Sequence, residues 1–141
     1  MTNSSGSAET EAPEAQQPRA IVAGHGSFAT GLISAVQQIS GRGDAFVAMS
    51  NQGLSGDDIE TRLRAAATDH GVRVFFTDLP AGSATLAVRR IMRHEPDIVL
   101  VTGANLAALL EFVFHPDVPA ADAARTAADK GRASMIVHGA G

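Results

Sequence analysis

A chain of 141 residues, 45% of them apolar, can bury one sizeable core, whereas two independent domains would each be small. A net charge of −4 with no Trp or Tyr offers neither a basic face for a phosphate backbone nor a stacking platform for single strands, so no nucleic-acid partner is expected. The lack of cysteine excludes disulfides, thiolate zinc sites and thiol nucleophiles; with no membrane-length apolar stretch and no signal-like start, a cytoplasmic protein without direct membrane insertion is expected.

Residues 1–18 are mostly Ser, Thr, Glu, Gln, Ala and Pro, with little to bury, and read as a disordered tail before a single domain over 19–141. The domain opens with Ala20-Ile21-Val22-Ala23, an apolar run of the length of a strand buried on both faces, which ends in Gly24-His25-Gly26-Ser27. Ser27 reads as the cap of a helix in which Phe28, Leu32, Ile33, Val36 and Ile39 recur at helical spacing until Gly41-Arg42-Gly43. Ala45 to Met49 reads as a second strand, followed by the turn-prone Ser50-Asn51-Gln52-Gly53. Ser55 then caps a helix with acids in its first turn, an inward face of Ile59, Leu63 and Ala66, and an end at His70-Gly71.

Val72 to Thr77 reads as a third strand that delivers Asp78. Gly82-Ser83 starts a helix with Ala84, Ala87, Val88 and Ile91 inward, and Arg89, Arg90 and Arg93 near its end read as a solvated, dipole-compensating cluster. A fourth strand over Asp97–Thr102 leads through Gly103-Ala104 to Asn105, which caps a helix bearing Leu106, Leu109, Leu110 and Val113. An Ala-rich helix from Ala120 to Lys130 is separated by Gly131 from Ser134–His138, a last strand. The alternation implies an α/β fold: an open, mostly parallel sheet of order 2-1-3-4 with helices on both faces and right-handed crossovers. His25 and Asp78 would then face each other where the winding reverses, the crevice in which such sheets place their ligands.

A carboxylate that accepts a hydrogen bond from one imidazole nitrogen fixes the tautomer and leaves the other nitrogen free to attack. Glycines let a second molecule approach closely, and backbone N–H groups at helix starts, around Gly26, Ser27, Gly82 and Ser83, suit the oxygens of a phosphoryl group. Phosphoryl transfer to and from His25, with Asp78 orienting it, is the chemistry these residues favour. GxxxxGK[ST], GxGxxG after the first strand and GxSxG are all missing, so neither a nucleotide donor nor a serine nucleophile is indicated. His70, His94, His115 and His138 have no comparable setting and read as ordinary surface or helix-end residues.

Three stretches, GHGSFATGL, FFTDLPAGSA and VLVTGANLAALLEFVF, resemble in order and spacing the signature segments of the mannose-type IIA component of the bacterial phosphoenolpyruvate-dependent sugar phosphotransferase system, its galactosamine and N-acetylgalactosamine branch most of all. The resemblance covers roughly residues 20–138. It implies that His25 accepts a phosphoryl group from the phosphocarrier protein HPr and passes it to a IIB component, with the membrane components IIC and IID as indirect partners. Asp78 would orient His25, and Ser83 would contact phosphoryl oxygens. It also implies a homodimer in which the last strand, here Ser134–His138, is exchanged. A phosphoramidate donor already stores the transfer potential, so no cofactor or metal is expected. The chain departs from the family where Ala81-Gly82-Ser83-Ala84-Thr85 replaces Gly-Gly-Ser/Thr-Pro-Phe, removing a helix-start proline and an aromatic expected at the rim.

Two other readings share the opening motif. Small tetrapyrrole metal chelatases also begin with Gly-His-Gly-Ser after a strand, but their second histidine, after a later strand, has no counterpart here. A regulatory phosphohistidine module uncoupled from transport has the same residues as a transport carrier.

Overall fold

The computed structural model describes residues 17–141; residues 1–16, most of the expected tail, lie outside the described residues. The organising run Ala20–Gly24 (β1) is buried over its whole length, as a strand covered by helices on both faces must be. It pairs in parallel with Phe46–Ser50 (β2) on one side and Val74–Thr77 (β3) on the other, and Val99–Val101 (β4) pairs in parallel with β3. The order β2-β1-β3-β4 matches the expectation and reverses winding between β1 and β3.

Strand alternation divides the core into two layers. Ala20, Val22, Val74 and Phe76 face the helices Phe28–Ser40 (α1), Leu106–Val113 (α4) and Ala120–Ala133 (α5). There Phe46, Phe76 and Phe112 cluster with ring centroids 5.2 to 6.1 Å apart, and the Arg19 guanidinium lies 5.1 Å from the Phe112 centroid. Burying Phe76 and Phe112 fully stabilises the fold by about 1.5–3 kcal/mol each. Ile21, Ala23 and Phe75 face the opposite helices, Gly56–His70 (α2) and Ser83–Met92 (α3). Among the described residues no helix is long and apolar enough to cross a membrane.

Capping follows the expected chemistry at α2 and α4. The Ser55 hydroxyl accepts from the Asp58 N–H at 3.1 Å, and the side-chain Oδ1 of Asn105 accepts from the Ala108 N–H at 3.0 Å. Gly41 and Gly71 end α1 and α2 at φ of 74° and 65°, a left-handed conformation that a Cβ disfavours.

Several expectations are corrected. β3 starts at Val74 because the Val72 N–H closes the end of α2 on the Ala67 carbonyl. Ile39 is 58% exposed, since the 3-10 turn Gly43–Ala45 folds back over Ile33 and Gln37 and leaves it outside. Gly131 does not break α5, which runs on to Ala133; it sits where α5 crosses α4, and a Cβ there would come within 2.8 Å of both Ala108 and Asn105. Arg90 is no solvated helix end, for it donates to Glu60 at 2.8 Å. That pair heads a chain of ion pairs, Arg90–Glu60–Arg64–Glu95–Arg73–Asp97, which ties α2 and α3 to the base of β4.

The segment expected as an exchanged last strand joins no strand of its own chain. Ser134–His138 is irregular and pairs with no strand among the described residues, leaving Met135, Ile136 and Val137 largely exposed. A strand needs a partner edge, and the four-stranded sheet of this chain does not include the segment.

Candidate functional site

β1 and β3 are neighbours, so their carboxyl ends deliver His25 and Asp78 side by side. The Asp78 Oδ2 lies 2.7 Å from His25 Nδ1 and also accepts the His25 backbone N–H at 2.8 Å. One carboxylate oxygen thus holds both the ring and the chain that carries it. The Asp78 side chain is only 10% exposed, whereas that of His25 is 58% exposed. Burial pushes the Asp78 carboxyl upward, but the hydrogen bonds it accepts from the His25 ring and backbone outweigh it and leave the group below its ordinary value. An anionic Asp78 requires the proton on Nδ1, which leaves Nε2 as the ring's free nucleophilic nitrogen.

The glycines have separate tasks. Gly24 makes room for the carboxylate, since a Cβ there would stand 2.7 Å from Asp78 Oδ2. Gly26, at φ 52°, turns the chain after His25 through a conformation that β-carbons disfavour. Gly82 abuts the ring: a Cβ built on it would be 3.4 Å from both His25 Cε1 and Asp78 Oδ1.

Gly26, Ser27, Gly82 and Ser83 all lie at the starts of the two helices that flank His25. The expected Ser27 cap does not form; its side chain makes no cap bond to α1, and α3 is capped by Gly82, which has no side chain to offer. α2 and α4, by contrast, are both capped by side chains. The helices meeting at His25 therefore keep first-turn N–H groups free of side-chain caps, the arrangement that binds anions.

Asn105 turns away from the site, donating to the Gly131 carbonyl at 2.9 Å. His115 pairs with Glu111 at 2.6 Å, a helix-end contact as expected. Among the described residues no group of three or more His, Asp or Glu side chains could hold a metal ion.

Two residues of the stretch that departs from the family pattern have defined settings. Ala81 needs no left-handed backbone, and Thr85 stands in the core, fully buried, rather than on the rim. Its hydroxyl donates to the Leu79 carbonyl and lies 2.6 Å from Thr77 Oγ1, bracing the Asp78 loop from beneath. Sequence reasoning missed this pair, and it missed Asn51. The Asn51 backbone N–H donates to the Gly24 carbonyl at 3.0 Å and its side-chain amide donates to Ser83 Oγ. The signal available was position alone: Asn51 follows β2 at the same edge of the sheet as His25.

A family model described as PTS system fructose IIA component, EIIA-man, matches residues 19–128. No curated protein matches the chain. Among solved structures the chain is similar to the mannose/sorbose specific IIA subunit of the phosphotransferase system from Enterococcus faecalis, with 22% identity, a TM-score of 0.74, and coverage of 89% of this chain and 98% of that one. It is similar to phosphotransferase system component EIIA from Streptococcus agalactiae, with 23% identity, a TM-score of 0.70, and coverage of 85% and 95%. A third likeness is to the PTS IIA protein associated with the fucose utilization operon from Streptococcus pneumoniae, with 19% identity, a TM-score of 0.69, and coverage of 86% and 93%. At these identities the structural likeness is one of fold.

Proposed function

The chain belongs to the mannose-type IIA family of the sugar phosphotransferase system, and from that premise we propose that His25 carries the phosphoryl group, taking it from HPr and giving it to a IIB component. Membership makes the protein a phosphocarrier with a phosphotransferase role among partners of that system. It also sets aside the chelatase reading. The observation that carries the assignment to His25 is its 2.7 Å contact with Asp78, on a ring whose other edge is exposed.

The step follows from that contact. Nδ1–H stays on the ring, donated to Asp78, and the Nε2 lone pair attacks the phosphorus of the donor's phosphohistidine. An Nε2–P bond forms as the donor's N–P bond breaks, and the electron pair of the broken bond returns to the donor nitrogen. Positive charge gathering on the His25 ring is met by the Asp78 anion, while uncapped N–H groups of α1 and α3 and the Ser83 hydroxyl suit the phosphoryl oxygens. Passing the group to IIB reverses these changes. We place this exchange in the cytoplasm, between HPr and the membrane components IIC and IID, and assign the working unit as a homodimer in which residues 134–138 pair with the free edge of β4 in the partner.

The experiment is phosphorylation with phosphoenolpyruvate, enzyme I and HPr. The full chain takes up acid-labile, base-stable phosphate, and His25→Ala takes up none; label retained in that variant removes the assignment.

A further inference from the structure

Asn51 follows β2 in a turn closed by its own carbonyl, which accepts from the Leu54 N–H at 3.1 Å, with Gly53 at φ 74° completing the bend. Its backbone N–H holds the Gly24 carbonyl, one residue before His25. None of these bonds uses the side chain. The side chain instead crosses to α3 and donates to Ser83 Oγ.

That bond has a direction. An amide nitrogen only donates, so Ser83 Oγ is the acceptor and its single hydrogen remains available to another acceptor. Ser83 is the first residue of α3 and follows Gly82, where an added Cβ would come within 3.4 Å of His25 Cε1. Without Asn51 the hydroxyl could rotate freely and would spend its hydrogen on solvent or on a nearby carbonyl.

We propose that Asn51 is a positioning residue, which orients the Ser83 hydroxyl so that it donates to an oxygen of the phosphoryl group on His25 Nε2. The inference rests on the phosphocarrier reading of His25 given above and adds a residue to it. Asn51 touches neither the phosphorus nor the ring, and acts through Ser83.

The test uses the full chain with phospho-HPr as donor and compares Asn51→Ala, Asn51→Asp, Ser83→Ala and the double variant Asn51→Ala/Ser83→Ala. Asn51→Ala slows transfer at saturating donor by about tenfold, the worth of one hydrogen bond to a charged group. Asn51→Asp, nearly isosteric, loses more, because a carboxylate draws the Ser83 hydrogen to itself and sets a like charge beside the phosphoryl group. In the Ser83→Ala background, Asn51→Ala costs nothing further. The phosphoryl group on His25, followed by phosphorus NMR as pH is varied, has its second ionisation shifted upward in each single variant, since the donor that favours the dianion is gone. A general loosening of the fold predicts losses that add in the double variant and no shared change in that ionisation. Wild-type rates in Asn51→Ala, or additive losses, overturn the proposal and leave His25 as the carrier. If the wild-type chain itself takes no label on His25, the phosphocarrier assignment fails and this inference falls with it.

Discussion

The space that a side chain would fill at Gly24 is occupied by the carboxylate of Asp78. A Cβ there would stand 2.7 Å from Oδ2 and 2.8 Å from Cγ, closer than real contacts allow. Asp78 is held from the other side by its two bonds to His25, so it can yield only by giving them up. Gly24→Ala, at a position with no left-handed backbone, should destabilise the fold by about 1–3 kcal/mol through overpacking. Phosphorylation of His25 should fall much further than the lost stability accounts for. Urea denaturation beside the labelling rate separates the two effects; a stable variant with normal labelling would show that the carboxylate has room to spare.

Asp78→Asn keeps the shape of the site and removes its charge. Neutral Asn can still accept from Nδ1–H but no longer opposes positive charge on the ring, so transfer should slow roughly a hundredfold or more. The same variant has a signature in stability. The Asp78 carboxyl lies below its ordinary value in the folded protein, so its contribution is present above the unfolded-state value and is lost as pH falls through the folded one. The wild-type melting temperature should therefore drop more steeply with acidification than that of Asp78→Asn. Parallel curves through the carboxylate range would contradict the pairing.

Residues whose roles are set by the period and ends of their own segment were legible from sequence. β1 was readable because an unbroken apolar run has few alternatives, and the meeting of His25 with Asp78 followed from the parallel order once Asp78 stood at the end of β3. Ser55 and Asn105 were legible as caps for the same local reason. What was not legible depends on contacts between distant segments. Gly131 looks like a helix stop until α4 is placed against it, and Thr85 looks like a rim residue until Thr77 is seen beneath. Asn51 reads as a turn former, its function lying 32 residues away at Ser83.

Thr77 and Thr85 form a buried polar pair whose hydroxyls satisfy each other and the Leu79 carbonyl. Thr85→Val keeps the volume but strands Thr77 Oγ1 and that carbonyl, which should cost about 1–3 kcal/mol. Thr77→Val/Thr85→Val leaves only the carbonyl without a donor, so its cost should be less than the sum of the single substitutions. Chemical denaturation of the four proteins checks this, and simple additivity would mean the hydroxyls do not depend on each other.

Gly131 offers a test of sign. In an ordinary helix interior Gly→Ala stabilises by about 1 kcal/mol. Here the added methyl would meet Ala108 Cβ and Asn105 Oδ1 at 2.8 Å, forcing α5 away from α4 and straining the cap that Asn105 provides to α4. Gly131→Ala should therefore lower the melting temperature, and a rise would show that the two helices can separate at no cost.

The C-terminal segment bears on assembly. β4 forms one edge of the sheet, and its outer side borders a groove lined by Met92, Ile98, Leu100 and Arg125. Met135, Ile136 and Val137 are together too apolar to be left at 83, 65 and 91% exposure without a partner surface. Both features are unsatisfied in one chain, and each is what the other lacks. Pairing the segment of one protomer with the β4 edge of the other would bury both, and twofold symmetry would do so twice. Deleting residues 135–141 spares Ser134, whose hydroxyl donates to the Gly131 carbonyl at the end of α5. That truncation should convert a dimer of the 14.5 kDa chain into a monomer by sedimentation, with its helical signal retained. A full chain that sediments as a monomer, or a truncated one that remains dimeric, would rule out this exchange as the basis of assembly.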